Sequence, residues 1–349
     1  MINPRNIKYL ILSAIILFIS LYYFLFFEES IFKKDPVPLK KFSTFGNFLG
    51  FPTEVFVIDS LLIVIDKKPQ VGYKFINMFS FDGQFKFSYT DKGTGPKEMI
   101  NPKSIDFDPL DKEKFWIFDA SLYRFIKFSL KTMMIENYIP INRGLPYNAV
   151  KLSNGNILSL GYGLTTGRFA LYDSTGQFIK EVGEIPPGIM NNIPIPVHLV
   201  AFQGKCRKSP DNSKIIISSR FTDMIEVYLV DGTLIKRFFG PLNKLPVYET
   251  VKVGDNPVMA LDDKNSVLGY IDIFITAGKI YALYSGRIRP EYGQKAPYGN
   301  TIHVFDFEGN LKKIYKTDED LFAISVTEND SLLFGVQHYD EVQIVAYKL

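Results

Sequence analysis

The chain has 349 residues, a formal charge of +3 and a single cysteine, Cys206. Its length suits one large domain or two modest ones, and 46% hydrophobic with 15% aromatic content excludes a disordered chain. A lone cysteine excludes an internal disulfide, and once Arg5 and Lys8 are set aside the remainder is too nearly neutral for a nucleic-acid binder.

The first predicted element is an uncharged apolar run from Tyr9 to Phe27, with Arg5 and Lys8 before it and Glu28 and Glu29 after it. As a helix rising about 1.5 Å per residue it would reach roughly 28 Å, close to the hydrocarbon thickness of a bilayer. No small-x-small cleavage site follows, and no cysteine follows for lipid attachment. An uncleaved single-pass anchor is therefore favoured over a cleaved signal or a buried helix. The basic residues before the run favour a cytoplasmic N-terminus. The expected organisation is a cytoplasmic tail over 1–8, a transmembrane anchor over 9–27 in contact with membrane lipid, and a juxtamembrane spacer over 28–40. Residues 41–349 would form a domain on the periplasmic or outer side of a cell membrane.

After the spacer, β-branched and aromatic stretches recur between turn-forming residues. The clearest copies are hairpins carrying Asp82 and Gly83, Asp173 and Gly176, Asp231 and Gly232, and Asp306 and Gly309. Glycine permits positive φ and aspartate caps nearby backbone donors, so each pair suits a tight turn. An inner strand pair precedes each hairpin, with innermost strands expected near Val55, Ser104, Tyr147, Val197, Gly269 and Leu321. The second strands read LLIVID, KFWIFD, NILSL, KIIIS, KIYALY and SLLFGV. Six four-stranded units predict an all-β fold, a six-bladed β-propeller with an N-terminal transmembrane helix. An open pair of β-sandwiches is the competing arrangement. The interval from Val197 to Gly269 is longer than the others and predicts an insertion. The last unit lacks a fourth strand, which Lys41 to Phe48 would supply, closing the ring and protecting the sheet edges. Trp116, Phe118, Tyr228 and Phe305 read as core.

The segment Lys92-Gly93-Thr94-Gly95-Pro96-Lys97-Glu98, followed by Asn101-Pro102 and the strand SIDFD, resembles the glycine–proline–glutamate loop of six-bladed TolB-like propellers common in Bacteroidota, a group similar to NHL-repeat propellers. The resemblance covers nearly all of the chain after the apolar run and implies the fold rather than an activity. Members are often lipoproteins, from which this chain departs.

Strand alternation puts the connections from fourth strand to next blade, and from second strand to third, on one face. The expanded loops Asp91–Lys103, Gly183–Pro196, Gly240–Leu268 and Ser285–Asn300 all fall there, which makes it the expected functional face. Arg287, Arg289, Glu291, Tyr292 and Tyr298, with Lys295, form a candidate contact surface for a ligand or partner, set against a loop folded on its own blade. Lys92, Gly93, Gly95, Lys97 and Glu98 form a candidate loop cradle for an anion, set against a structural blade junction, which is favoured. Asp255, Asp262, Asp263 and Lys264, with Asn191, Asn192 and His198, follow no calcium-loop spacing. His198, His303 and His338 are too dispersed for a zinc triad, so no metal, cofactor or catalytic residue is assigned. The leading expectation is a membrane-anchored, non-catalytic recognition module that binds a glycan, peptide or envelope protein through the long-loop face. The alternative is a propeller hydrolase or lyase acting on a carbohydrate or lactone, which requires converging acids at the central mouth. Structural assembly is a third reading.

Overall fold

The computed structural model describes residues 32, 34–108, 111–189 and 192–349. The chain divides into two compact units, Met1–Pro36 and Val37–Leu349, of which the second is the propeller. Six sheets form the blades; in the first five the innermost strand comes first in the chain and the next three follow outward, whereas the sixth takes its outermost strand from the N-terminal end of the domain. The innermost strands are Pro52–Ile58, Pro102–Phe107, Pro146–Lys151, Gly204–Lys208, Leu268–Ile275 and Ala323–Val326. The all-β, six-bladed expectation is thus met.

The repeated turns behave as their chemistry dictates. Gly176 has φ +85°, and a Cβ there would meet the Pro140 carbonyl oxygen at 1.9 Å. Asp173 Oδ1 accepts the backbone N–H groups of Thr175 and Gln177 at 2.8 and 3.0 Å. Side chains that alternate along the strands fill the space between blades. Ile63, Ile117, Ile126, Leu283 and Ile302, for example, are completely buried in one shared cluster.

Ring closure uses the N-terminal end of the domain. Lys41–Phe45 pairs antiparallel with Gln343–Lys348 and supplies the outer strand of the sixth blade. Immediately before it, Val37–Leu39 lies parallel to Tyr315–Thr317 on the outer strand of the fifth blade. One short segment therefore covers two sheet edges that would otherwise present unpaired backbone groups. Lys41 Nζ also pairs with Glu319.

One expectation changes, and the expected insertion takes a definite form. The fourth innermost strand is Gly204–Lys208, and Val197 instead lies in helix α1, Ile195–Ala201. Pro194 and Pro196 fix φ values compatible with a first helical turn, so an apolar run that reads as strand becomes a helix. The long interval before the fifth blade holds an extra hairpin, Tyr248–Val253 with Asn256–Leu261. His198 of α1 joins the two insertions: its Nε2 contacts the Pro186 carbonyl oxygen at 2.8 Å and its Nδ1 contacts the Tyr248 hydroxyl.

The transmembrane part of the expected fold is corrected. No helix among the described residues is long and apolar enough to cross a membrane. The run from Tyr9 to Phe27, on which the expectation rested, lies outside the described residues. The membrane-lipid partner, the single-pass placement and the membrane-anchored form of the function are withdrawn with it.

Candidate functional site

The six innermost strands all begin on the long-loop face, and their first residues surround the mouth of the central channel. A cavity of about 500 Å³ opens there. Structural aspartates at the ends of second strands organise its rim. Buried Asp66 accepts the N–H groups of Gly50 and Phe51, both at 2.7 Å. Buried Asp119 does the same for Ile100 and Asn101 at 2.7 and 3.2 Å. Each carboxylate ties the loop entering its blade to that blade's second strand. Asn101, held in this way, accepts a hydrogen bond from Lys67 Nζ at 2.9 Å.

Cations dominate the mouth. Lys67, Lys103, Lys205 and Arg220 line it, with Glu54 as the sole acid in the lining among the described residues. Deeper, Lys205 pairs with Glu54 and lies 3.9 Å from Asp272, while Arg207 reaches Glu54 at 3.1 Å and Asp272 at 3.8 Å. Those two acids therefore offset Lys205 and Arg207. Lys67, Lys103 and Arg220 are left in excess, with no carboxylate within ion-pair distance among the described residues. Arg220 Nε is buried and has no hydrogen-bond partner in the protein.

The electrostatics carry the imprint of this excess. Burial, with the Lys103 charge second, pulls the Lys67 amine down to about 7. Burial and the Lys205 charge lower Lys103, and burial and the Arg289 charge lower Arg220. A bound anion would relieve all three, because an opposite charge stabilises each protonated form. Aromatic rings complete the wall: Tyr147 and Tyr162 have ring centroids 4.9 Å apart, and Phe51, Tyr123 and Phe322 also face the cavity.

The channel below is filled. Lys208 Nζ lies 3.1 Å from Asp106 and donates to the Phe107 and Lys151 carbonyl oxygens, both at 2.8 Å. Arg207 donates to the carbonyl oxygens of Ile105 and Ile273 at 2.9 and 3.2 Å. Together with the Arg207–Glu54 pair these bonds span blades one to five, so the ionic plug clamps the ring from within.

A family model described as TolB-like 6-blade propeller-like matches residues 30–329. The chain belongs to the TolB-like six-bladed propeller family. Among solved structures, the β-propeller domain of Cps50 (Swd1) from Myceliophteria thermophila is similar with a TM-score of 0.52 at 9% identity, covering 89% of this chain and 100% of that chain. A protein of Bacteroides fragilis assigned as exported is similar with a TM-score of 0.52 at 13% identity, covering 88% and 93%. At these identities the likeness carries the fold alone. No curated protein matches the chain.

In this TolB-like propeller the candidate residues separate into several environments. Arg287 grips Asp320 with both ends of its guanidinium, at 2.9 and 2.5 Å, and donates to the Lys295 carbonyl oxygen at 3.0 Å. Tyr298 is buried, and its hydroxyl contacts His338 Nδ1 at 2.9 Å. Arg289 is half exposed and 3.8 Å from Asp263. Tyr292 and Glu291 are exposed. From the same loop, Pro297 reaches the wall of the mouth.

The loop from Lys92 to Glu98 encloses its own carboxylate. Glu98 Oε2 accepts the Gly95 N–H at 2.8 Å, and a Cβ on Gly93 would meet that oxygen at 2.0 Å. Arg124 donates to the Gly95 and Glu98 carbonyl oxygens. Lys92 and Lys97 are exposed, and none of these residues lines the mouth.

The enzymatic alternative is corrected as well. It required acids converging at the mouth, whereas the uncompensated side chains there are cationic. Among the described residues no group of three or more His, Cys, Asp and Glu is arranged to hold a metal. His303 is buried against the Tyr270 hydroxyl at 2.9 Å, and burial pulls it down to about 3. Cys206 is buried, and its thiol is pushed up to about 12. Asn191 lies outside the described residues.

Sequence reasoning missed Lys67, Lys103, Lys205 and Arg220. A signal existed for two of them: Lys103 and Lys205 each stand second in an innermost strand, PKSIDF and GKCRK. A charge at the start of an axial strand points to the channel mouth.

Proposed function

We propose that this propeller captures a small ligand bearing carboxylate or phosphate groups in its basic mouth. The observation that carries the reading is the convergence of Lys67, Lys103 and Arg220 with no carboxylate within ion-pair distance among the described residues, Glu54 being paired with Lys205 and Arg207. Burying like charges together is costly unless an opposite charge joins them, so the arrangement is favourable only with an anion present. The aromatic wall and the amides of Asn101, Asn148 and Gln203 would orient the rest of the ligand. Exposed Arg289, whose charge is felt at Arg220, would extend the basic field outward, with Glu291 and Tyr292 exposed beside it, while Arg287 pairs with Asp320 and Tyr298 with His338. For Lys92, Gly93, Gly95, Lys97 and Glu98 the enclosed carboxylate favours a blade-joining role. The reading also keeps the NHL-like, Bacteroidota affinity as an inference, supported by that loop and the recurring aspartate–glycine hairpins.

Calorimetric titration with citrate and with pyrophosphate at about pH 6 tests the proposal and separates the two anion chemistries. Saturable binding of at least one, weakened roughly tenfold or more by either Lys103→Gln or Arg220→Gln, is expected. Absence of binding by both anions, or binding untouched by both substitutions, would overturn it.

A further inference from the structure

Lys67 differs from the other cations of the mouth in how its amine is held. The groups that act on Lys67 Nζ all belong to the cavity lining: Asn101 Oδ1 accepts its hydrogen bond at 2.9 Å, and the charges of Lys103, Glu54 and Lys205 are felt there. The amine therefore sits among the lining residues, on a side chain that stays partly accessible. Glu54 is engaged by Lys205 and Arg207, so no acid pins the amine as an ammonium. Asn101 is itself anchored, its N–H on Asp119 Oδ1 at 3.2 Å, and its amide fixes where the amine lies. A neutral amine that donates to this oxygen keeps its lone pair for another partner. Burial beside a second cation is the environment that makes a lysine a nucleophile. Held at about 7, close to half of the Lys67 amines are neutral at neutral pH, against roughly one in three thousand for an ordinary lysine.

We infer that Lys67 captures a 2-oxo acid covalently, as an imine between its Nζ and the ligand's carbonyl carbon, with Lys103 and Arg220 receiving the carboxylate. This rests on the anion reading of the mouth and names a ligand class for it. The amine nitrogen attacks the carbonyl carbon, and a C=N bond replaces the C=O bond. The oxygen departs as water with the two amine hydrogens, and a proton from solvent converts the imine to the iminium. Nothing is oxidised or reduced. A carboxylate next to the carbonyl suits the site because Lys103 is near enough to Lys67 for their charges to act on each other. Arg220, whose buried Nε has no hydrogen-bond partner in the protein, offers a second donor group. A carbonyl compound without a carboxylate would leave both cations unmatched.

The full chain is incubated with pyruvate and sodium cyanoborohydride, which reduces an imine to a stable amine, and labelled lysines are quantified by peptide mass spectrometry. Lys67 should be labelled at least tenfold faster than exposed Lys92 and Lys97, in proportion to its larger neutral fraction. Citrate should suppress that label. Arg220→Gln should slow labelling by pyruvate roughly tenfold and leave labelling by dihydroxyacetone, which has the carbonyl and no carboxylate, unchanged. Labelling of Lys67 no faster than that of the exposed lysines overturns the inference, as does an Arg220→Gln effect equal for both probes. Citrate binding in calorimetry without selective labelling overturns the imine alone. Loss of both overturns the anion reading with it.

Discussion

Raising the pH should switch the mouth off through Lys67. Burial, with the Lys103 charge second, pulls this amine down to about 7. An anion binds the protonated form, so the apparent dissociation constant grows with the deprotonated fraction. At about pH 6 the amine is mostly charged. At about pH 8.5 only roughly one molecule in thirty is charged, so affinity for a non-titrating anion should fall by about thirtyfold between the two. Lys103 is lowered in the same direction by burial and the Lys205 charge. Calorimetry in buffers of different ionisation enthalpy should show proton uptake on binding near pH 7.5. Lys67→Gln should flatten the profile to a few-fold and remove most of the uptake. A wild-type affinity that is level from about pH 6 to 8.5, or a Lys67→Gln profile as steep as wild type, would refute the reasoning. The sign for folding is the same in origin: the folded-state value lies below that of the unfolded chain. The destabilisation is full below about pH 7 and is relieved as pH rises toward the ordinary lysine value, so stability should increase across that interval.

Other consequences concern the scaffold. Gly176→Ala places a Cβ 1.9 Å from a backbone oxygen at positive φ, so it should cost on the order of 1–3 kcal/mol in denaturant unfolding. Substitution at Gly163, also at positive φ but with nothing within 4 Å, should cost less. Arg168 and Glu226, which are 1% and 0% exposed, meet at 3.0 Å. Glu226→Ala strands buried Arg168 and also removes the carboxylate that Arg237 pairs with, and should lower stability by about 3–5 kcal/mol. Deleting residues 37–45 uncovers the edges of blades five and six. Size-exclusion chromatography should show the shortened chain associating, and recovery as a stable monomer would contradict the role given to closure.

The fold was legible because its signals are local and repeated. Aspartate–glycine turns, β-branched strands and the missing last strand point to six blades and to closure by Lys41 onward, and the backbone pairing agrees. Val197 misled because its apolar neighbours suit either a strand or a buried helix, and the prolines beside it decide between them. The mouth was hidden for a different reason. Lys67 and Arg220 follow the second strands of blades one and four, Lys103 stands second in the innermost strand of blade two, and only the ring brings them together. Their value as a site lies in lacking acids nearby, a property of space rather than of sequence. The exposed arginines and tyrosines of the Ser285–Asn300 loop drew attention by composition. Arg287 there proves to be engaged with Asp320, while Arg289 contributes through its field on Arg220.

Anomalous diffraction from crystals of the protein grown with selenate at about pH 6 would test the basic mouth most directly. An ordered selenium peak within hydrogen-bond reach of Lys67, Lys103 and Arg220, absent in Arg220→Gln crystals, is the predicted result. Selenate found only on the outer surface, with the mouth empty of it at saturating concentration, would contradict the proposed anion site.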